Sequence, residues 1–166
     1  RGLGDVYKRQ VSDMEGVAVF NLYELSQEIA FNIDEWSKII SDASAVIYQF
    51  PFYWMSAPSL LKKWQDEVFT FLSKTPAVAG KPLTVVTTTG SEYEAYRSGG
   101  RNRFTTDELL RPYQVNAIHS GMSWQTPIVV YGMGTADAGK NIAEGANLYK
   151  QRVEMLIGNS NAGNNW

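Results

Sequence analysis

Three stretches of this chain bring together residue types able to do chemistry. Residues 50–58, FPFYWMSAP, set four aromatic rings and Met55 where a buried apolar run ends and Pro58 opens a helix. Ligands of open α/β sheets bind beyond the carboxyl ends of the strands, so Phe52, Tyr53, Trp54 and Met55 are candidates for holding a planar ring. Aromatic residues also carry much of the burial in cores and contacts, and the same stretch reads equally as a plug of the sheet edge or a dimer contact. Residues 87–90, TTTG, close a second apolar run; alone they read as a polar strand end whose hydroxyls bond local backbone, with Gly90 making the turn. Residues 91–104, SEYEAYRSGGRNRF, form a loop rich in glycine and charge that carries Tyr96, Arg97, Arg101 and Arg103, a kind of connection that is often functional or mobile.

Several other chemistries fall away. With no cysteine and one histidine, disulfides, thiolate nucleophiles, thiolate metal sites and most zinc chemistry are excluded, and no metal site is expected. His119 stands near a helix end before Gly121 and reads as a capping or packing residue. There is no GxSxG elbow, no Walker loop and no convincing pair of carboxylates, so hydrolase and NTPase readings have no support. A formal net charge of −2, with scattered Lys and Arg, provides no basic field and disfavours nucleic acid. No apolar run is long enough to cross a bilayer and no signal-peptide pattern is seen; a cytoplasmic protein is the expectation.

These stretches must be positioned by the surrounding elements. A chain of 166 residues with 44% apolar content predicts one domain with a substantial core. Residues 17–25, with Val17, Val19 and Leu22 as apolar anchors, read as a strand running into a loop. Asn32 and Glu35 have the form of a capping box ahead of Ile33, Trp36, Ile39 and Ile40, which predicts a helix leading to a buried strand at 45–50. The next helix spans 59–73: Leu60, Leu61, Trp64, Val68, Phe71 and Leu72 form its apolar stripe, and Lys62, Lys63, Gln65, Asp66 and Glu67 its polar side. Residues 83–86 are a strand rich in β-branched residues. Thr105 with Glu108 makes a second capping box, Pro112 ends or kinks that helix, and a further helical stretch runs to His119. A last strand at 127–131 precedes a helix carrying Ile142, Ala146, Tyr149, Val153 and Leu156 on one face. Strands alternating with helices predict an α/β parallel sheet with right-handed crossovers.

The stretches FPFYWMSAPSLLKKWQDEVF, VTTTG with a tyrosine soon after, and GRNRFTTDELLRP at 100–112 follow one another in an order that resembles the flavodoxin-like NAD(P)H oxidoreductases. That family includes NAD(P)H:quinone dehydrogenases, general stress oxidoreductases and ancillary subunits of glutathione-gated potassium efflux systems. The resemblance covers roughly residues 11–156. It implies a flavodoxin-like three-layer fold around a parallel sheet, FMN or less often FAD as cofactor, NAD(P)H as reductant, a quinone or similar small acceptor, and a homodimer. It lays the flavin ring against Phe52, Tyr53, Trp54 and Met55, sets Thr87, Thr88 and Gly90 on the pyrimidine side, and makes Tyr96 the catalytic candidate that closes the ring pocket near the substrate. Arg97, Arg101 and Arg103 could meet the phosphates of a nicotinamide dinucleotide, or belong to a solvated loop. Relatives that act on quinones carry a histidine some residues after that tyrosine; here the place reads Gly99, Gly100, Arg101 and Asn102, which weakens quinone as the acceptor. Two other roles accompany the resemblance: a regulatory subunit docking on a potassium efflux transporter, and a one-electron carrier of the flavodoxin type, although such carriers are generally much more acidic.

Residues 1–10, RGLGDVYKRQ, lack the hydrophobic run of a first strand and read as a non-native segment resembling translated adapter sequence. Nothing before Val11 matches the family's first strand or the His- and Ser-containing loop that wraps the flavin phosphate at a helix N-terminus. Four strand candidates, near residues 17, 45, 83 and 127, stand against the five of a flavodoxin-like sheet. The expectation is a flavin-binding domain over 11–158 that lacks its first strand and first helix and binds FMN poorly, with an Asn- and Gly-rich disordered tail at 159–166.

Overall fold

Two apolar runs pair in parallel at the centre of the computed structural model, which describes residues 11–25 and 30–161. Strand β1 (Val46–Pro51) lies beside β2 (Pro82–Thr88), with Val46 opposite Leu83 and Pro51 opposite Thr88. The other edge of β2 carries β3 (Ser123–Trp124) and then β4 (Ile128–Val130), both parallel to it, so β2 is the inner strand of a four-stranded sheet. Residues 83–87 are all buried, as expected of a parallel strand covered on both faces. Successive side chains of β2 point to opposite faces, and this divides the core. Leu83 and Val85 join Tyr48, Phe50, Trp64 and Tyr113 on one side; Val86 joins Ile128, Val130, Tyr149 and Val153 on the other.

Helices supply the outer layers. The first face packs against α2 (Ile33–Asp42), α3 (Ser59–Trp64), its continuation α4 (Thr70–Leu72) and α6 (Arg111–His119). The second is covered by α7 (Ala138–Asn161) through Ala146, Tyr149 and Val153. Two short helices, α1 (Leu22–Leu25) and α5 (Thr106–Leu109), complete the set of described helices numbered here. The three-layer α/β arrangement and parallel sheet match the expectation from sequence.

Individual elements depart from it in informative ways. Residues 17–21 form no strand; Val19, Phe20 and Asn21 line a cavity of about 220 Å³ together with Gln49, Phe50 and Pro51 of β1. The segment is held by its side chains: Val17 and Val19 pack on the second core and Phe20 meets Trp36 edge-on at 5.3 Å. Asn21 then starts α1, its carbonyl accepting from Glu24 and Leu25 and its side chain from Tyr23.

The helix expected over 59–73 is interrupted by a π-helical segment, Gln65–Phe69, in which the Thr70 N–H reaches back to the Gln65 carbonyl. The wider turn rotates everything after it. Phe69 and Gln65 become buried, whereas Phe71, expected in the apolar stripe, is 56% exposed. Strand β2 extends through Thr87 and Thr88, beyond the expected end at Val86, and the two-residue β3 was not anticipated. Helix α7 continues to Asn161, into the stretch expected to be disordered from Asn159. The readings made for residues 1–10 and 162–166 lie outside the described residues.

Candidate functional site

Because the strands are parallel, β1, β2 and β4 all deliver their carboxyl ends to one edge, where the first two candidate stretches meet. The Phe52 N–H donates to the Thr88 carbonyl at 2.9 Å and fastens one to the other. The chain then reverses in a tight turn, with Tyr53 N–H donating to the Ser56 carbonyl at 2.8 Å and Ser56 N–H to the Tyr53 carbonyl at 3.0 Å. Its central residues, Trp54 and Met55, have φ of 47° and 62°, the left-handed pair of a type I′ turn in which Gly, Asn and Asp dominate. A left-handed conformation costs a bulky L-residue roughly 1–2 kcal/mol, so the turn must be held from outside. Tyr113 of α6 does this: its hydroxyl accepts from the Ala57 N–H at 3.1 Å and lies 3.4 Å from the Ser56 hydroxyl, while its ring packs on Phe50 at 5.3 Å. The turn stands out from the sheet edge, with Tyr53 60%, Trp54 98% and Met55 43% exposed, and so does not act as a plug within the chain.

Thr87, Thr88 and Gly90 differ in what they present. Thr87 is buried and its hydroxyl donates to the Phe50 carbonyl at 2.8 Å, so that side chain stitches β2 to β1. Thr88 is half-buried beside the cavity at the β1 edge. Thr89 is buried, with its hydroxyl donating to the Ser91 carbonyl. Gly90 is exposed, and its carbonyl accepts from Gly134 at 2.8 Å, so close an approach that a Cβ on Gly134 would stand 3.0 Å from that oxygen. Among the described residues the N–H groups of Trp54, Met55, Gly90 and Ser91 have no protein acceptor. What this edge offers a ligand is backbone donors beside aromatic walls.

The third stretch folds back over the same edge. A 3₁₀ turn, Tyr93–Tyr96, buries Tyr96, whose ring lies 6.2 Å from Phe52 and 5.9 Å from Tyr131. Tyr131 in turn meets Tyr93 edge-on at 5.3 Å. Sequence reading missed Tyr131, although it directly follows β4 and the strand-end rule that singled out Phe52 applies to it equally. Its hydroxyl is 2.6 Å from the Thr106 hydroxyl; burial raises its pKa, that hydrogen bond partly offsets the rise, and the phenol stays neutral at physiological pH. An open cavity of about 550 Å³ adjoins Tyr93, Tyr96 and Tyr131, with Arg97 and Arg152 on its wall. Of the three arginines, Arg97 pairs with Glu94 at 3.1 Å over the Tyr93 ring, and Arg101 donates to the Ser91 hydroxyl at 2.6 Å. Arg103 has a φ of 62°. His119 is exposed in the last turn of α6, remote in the chain from these contacts.

The pattern of the flavodoxin-like fold matches residues 1–153. General stress protein 14 of Bacillus subtilis (strain 168) is 34% identical over 90% of this chain and 87% of its own length. The glutathione-regulated potassium-efflux system ancillary protein KefG of Serratia proteamaculans (strain 568) is 35% identical over 76% and 71% respectively. The uncharacterized NAD(P)H oxidoreductase YdeQ of B. subtilis (strain 168) is 32% identical over 90% and 78%.

Solved structures agree on the architecture. A chain described as a thermophilic tryptophan halogenase from Streptomycin violaceusniger superposes with a TM-score of 0.85 at 32% identity, over 92% of this chain and 91% of its own. General stress protein 14 of Treponema denticola, in complex with FMN, gives 0.80 at 26% identity over 93% and 88%. An NADPH-quinone reductase from P. pentosaceus gives 0.74 at 25% identity over 89% of each chain. The chain belongs to the flavodoxin-like family of NAD(P)H oxidoreductases.

Proposed function

We propose that this chain holds FMN at the carboxyl edge of its sheet and carries two electrons from NAD(P)H to a quinone or similar small acceptor. The observation that carries this reading is the left-handed Tyr53–Ser56 turn, which follows Phe52 at the same sheet edge as Gly90 and Ser91; among the described residues the N–H groups of Trp54, Met55, Gly90 and Ser91 have no protein acceptor. A flavin ring has an apolar end and a pyrimidine end rich in acceptor atoms; aromatic walls suit the first and free N–H groups the second. FAD has the same ring, and the FMN complex of the T. denticola relative favours FMN.

When bound, FMN supplies the chemistry by accepting hydride from NAD(P)H and releasing two electrons to the acceptor. The chain's residues bind and orient. Phe52, Tyr96 and the turn would hold the ring and keep water from it, and Tyr96 with Tyr131 borders the larger of the two cavities, which would admit a second flat molecule. Arg97, already paired with Glu94, lies on the wall of that cavity as a partner for a dinucleotide phosphate. The quinone reading is supported by the name of the P. pentosaceus relative. We place the activity in the cytoplasm, where NAD(P)H is available; among the described residues no helix is long and apolar enough to cross a membrane.

The test is FMN uptake followed by steady-state kinetics. FMN-dependent NAD(P)H oxidation at saturating FMN, with parallel double-reciprocal lines against a quinone, is expected; its absence at saturating FMN refutes the proposal. The likeness to KefG favours a second reading, in which the fold, proposed here to act as a homodimer, docks on a potassium efflux transporter. Co-purification with such a transporter supports it, and its failure at native expression levels opposes it.

A further inference from the structure

Arg152 is a cation without a counter-charge on the wall of the larger cavity. Its Nη1 donates to the Thr126 carbonyl at 2.6 Å, in the connection between β3 and β4, and this bond holds the side chain in place. Among the described residues no carboxylate lies within ion-pair distance of it, whereas Arg97, which lines the same cavity, is matched by Glu94. A guanidinium has five N–H donors in a planar fork, so most of them remain for an oxyanion after the bond to Thr126.

The surroundings of Arg152 are apolar. Leu148, Gln151, Arg152 and Met155 recur at helical spacing and all line the cavity, so one face of α7 is turned toward it. Ala146, Tyr149 and Val153, on the adjoining face, are buried in the second core and fix that rotation. Leu148 and Met155, 56% and 52% exposed, leave apolar surface one turn before and one turn after the guanidinium. Tyr93, Tyr96 and Tyr131 line the same cavity from the carboxyl edge of the sheet. Thr126, which anchors Arg152, and Tyr131 bracket β4 and are five residues apart, a separation of up to about 17 Å in extended chain. The cavity thus combines aromatic rings at the carboxyl edge with apolar surface and an uncompensated cation toward the start of β4.

We propose that Arg152 binds the 2′-phosphate of NADPH and so makes the chain prefer NADPH to NADH. The inference rests on the function proposed above and names the residue that tells apart two reductants differing only in that phosphate. An extended dinucleotide with its nicotinamide beside Tyr96 reaches along the cavity, with its adenine against the apolar surface of Leu148 or Met155 and its ribose beside Arg152. Arg97 meets the pyrophosphate common to both dinucleotides and does not discriminate. Near neutral pH the 2′-phosphate is largely a dianion that pairs with a guanidinium through two parallel hydrogen bonds, whereas NADH presents only a hydroxyl there.

The experiment has two arms. In the first, which needs no flavin, adenosine 2′,5′-bisphosphate and adenosine 5′-monophosphate are titrated into the full chain by calorimetry. The bisphosphate binds about tenfold more tightly, as expected for hydrogen bonds between charged groups. Arg152→Gln abolishes that preference, and Arg152→Lys, which keeps the charge but loses the fork, reduces it. Because Arg152 also holds Thr126, Leu148→Glu gives a second route: a carboxylate four residues before Arg152 pairs with it and lowers the same preference without removing the Thr126 contact. Circular dichroism checks that each variant is folded. In the second arm, at saturating FMN, kcat/KM for NADPH exceeds that for NADH about tenfold, and the ratio approaches one in R152Q through a rise in the KM for NADPH. Equal affinity for the two adenosine ligands, or a preference that survives in both R152Q and L148E, overturns the proposal. Absence of FMN-dependent oxidation of either dinucleotide overturns the function reading instead, and the first arm still shows whether Arg152 reads the phosphate.

Discussion

The Tyr53–Ser56 turn and the end of β2 face the same space and are joined by one hydrogen bond, yet they are built in opposite ways. At the end of β2 the hydroxyls of Thr87 and Thr89 are buried and bonded to backbone carbonyls, so nothing there is strained and little can move. In the turn, two bulky residues hold left-handed backbone and their side chains stand in solvent. Strain is tolerable in one because the other is rigid: Phe52 is anchored to Thr88 before the chain departs from regular geometry, and Tyr113 secures it on return. Both regions converge on the same offer to a ligand, free backbone N–H groups. At the β2 end this arises from a fully satisfied frame, and at the turn from a conformation the residues themselves disfavour.

That contrast can be broken at graded points. The largest effect is expected from Gly100→Ala, which drives a methyl into two backbone carbonyls under Tyr96; a loss of about 2–3 kcal/mol in urea unfolding is expected, with Tyr96 displaced from Phe52. Tyr113→Phe removes the acceptor for the Ala57 N–H and frees the turn, for a loss of about 1–2 kcal/mol and faster amide exchange confined to residues 53–57. Trp54→Gly should act with the opposite sign. Relief of the left-handed penalty stabilises the chain by roughly 0.5–1 kcal/mol after the extra freedom of glycine when unfolded is counted, while on the proposed function flavin affinity falls.

The smallest effect concerns Glu108, whose carboxyl is held below its ordinary pKa first by the Thr105 N–H and then by the Thr105 hydroxyl. A folded value below the unfolded one stabilises fully above the unfolded carboxylate range, and the benefit is lost as pH falls through the folded value. The pH dependence of stability in mild acid should therefore flatten slightly in Glu108→Gln.

Local signals explain what the sequence made legible. Asn32 accepts from the Asp34 and Glu35 N–H groups at 3.1 and 3.2 Å, and Thr105 with Glu108 completes a reciprocal box, because capping depends on residues three apart and on nothing distant. The β-branched runs of β1, β2 and β4 were equally plain. Features that depend on a partner were not. Residues 17–21 have strand composition but no strand pairs with them, and Ser123 and Trp124 pair only because the carbonyls of Lys81, just before β2, and of Leu83 within it accept from the Ser123 and Gln125 N–H groups. The π-helical turn exchanged Phe71 for Phe69 in the core, a rotation that an even helical spacing cannot reveal. At the site, composition located the aromatic stretch. Turn preferences argue for Gly or Asn where Trp54 and Met55 stand, and the bonded state of Thr87 emerges only once Phe50 is its neighbour.

Trp54 also gives the protein an optical handle. Trp36 and Trp64 are buried against each other, and Trp124 is half-buried, whereas the Trp54 indole is bathed in water. Excitation at the red edge of the tryptophan band should select it, and its emission should lie furthest to the red of these four. A flat chromophore docking beside the turn would quench that component first and leave the buried pair comparatively bright, so occupancy of the site can be followed in the unlabelled chain.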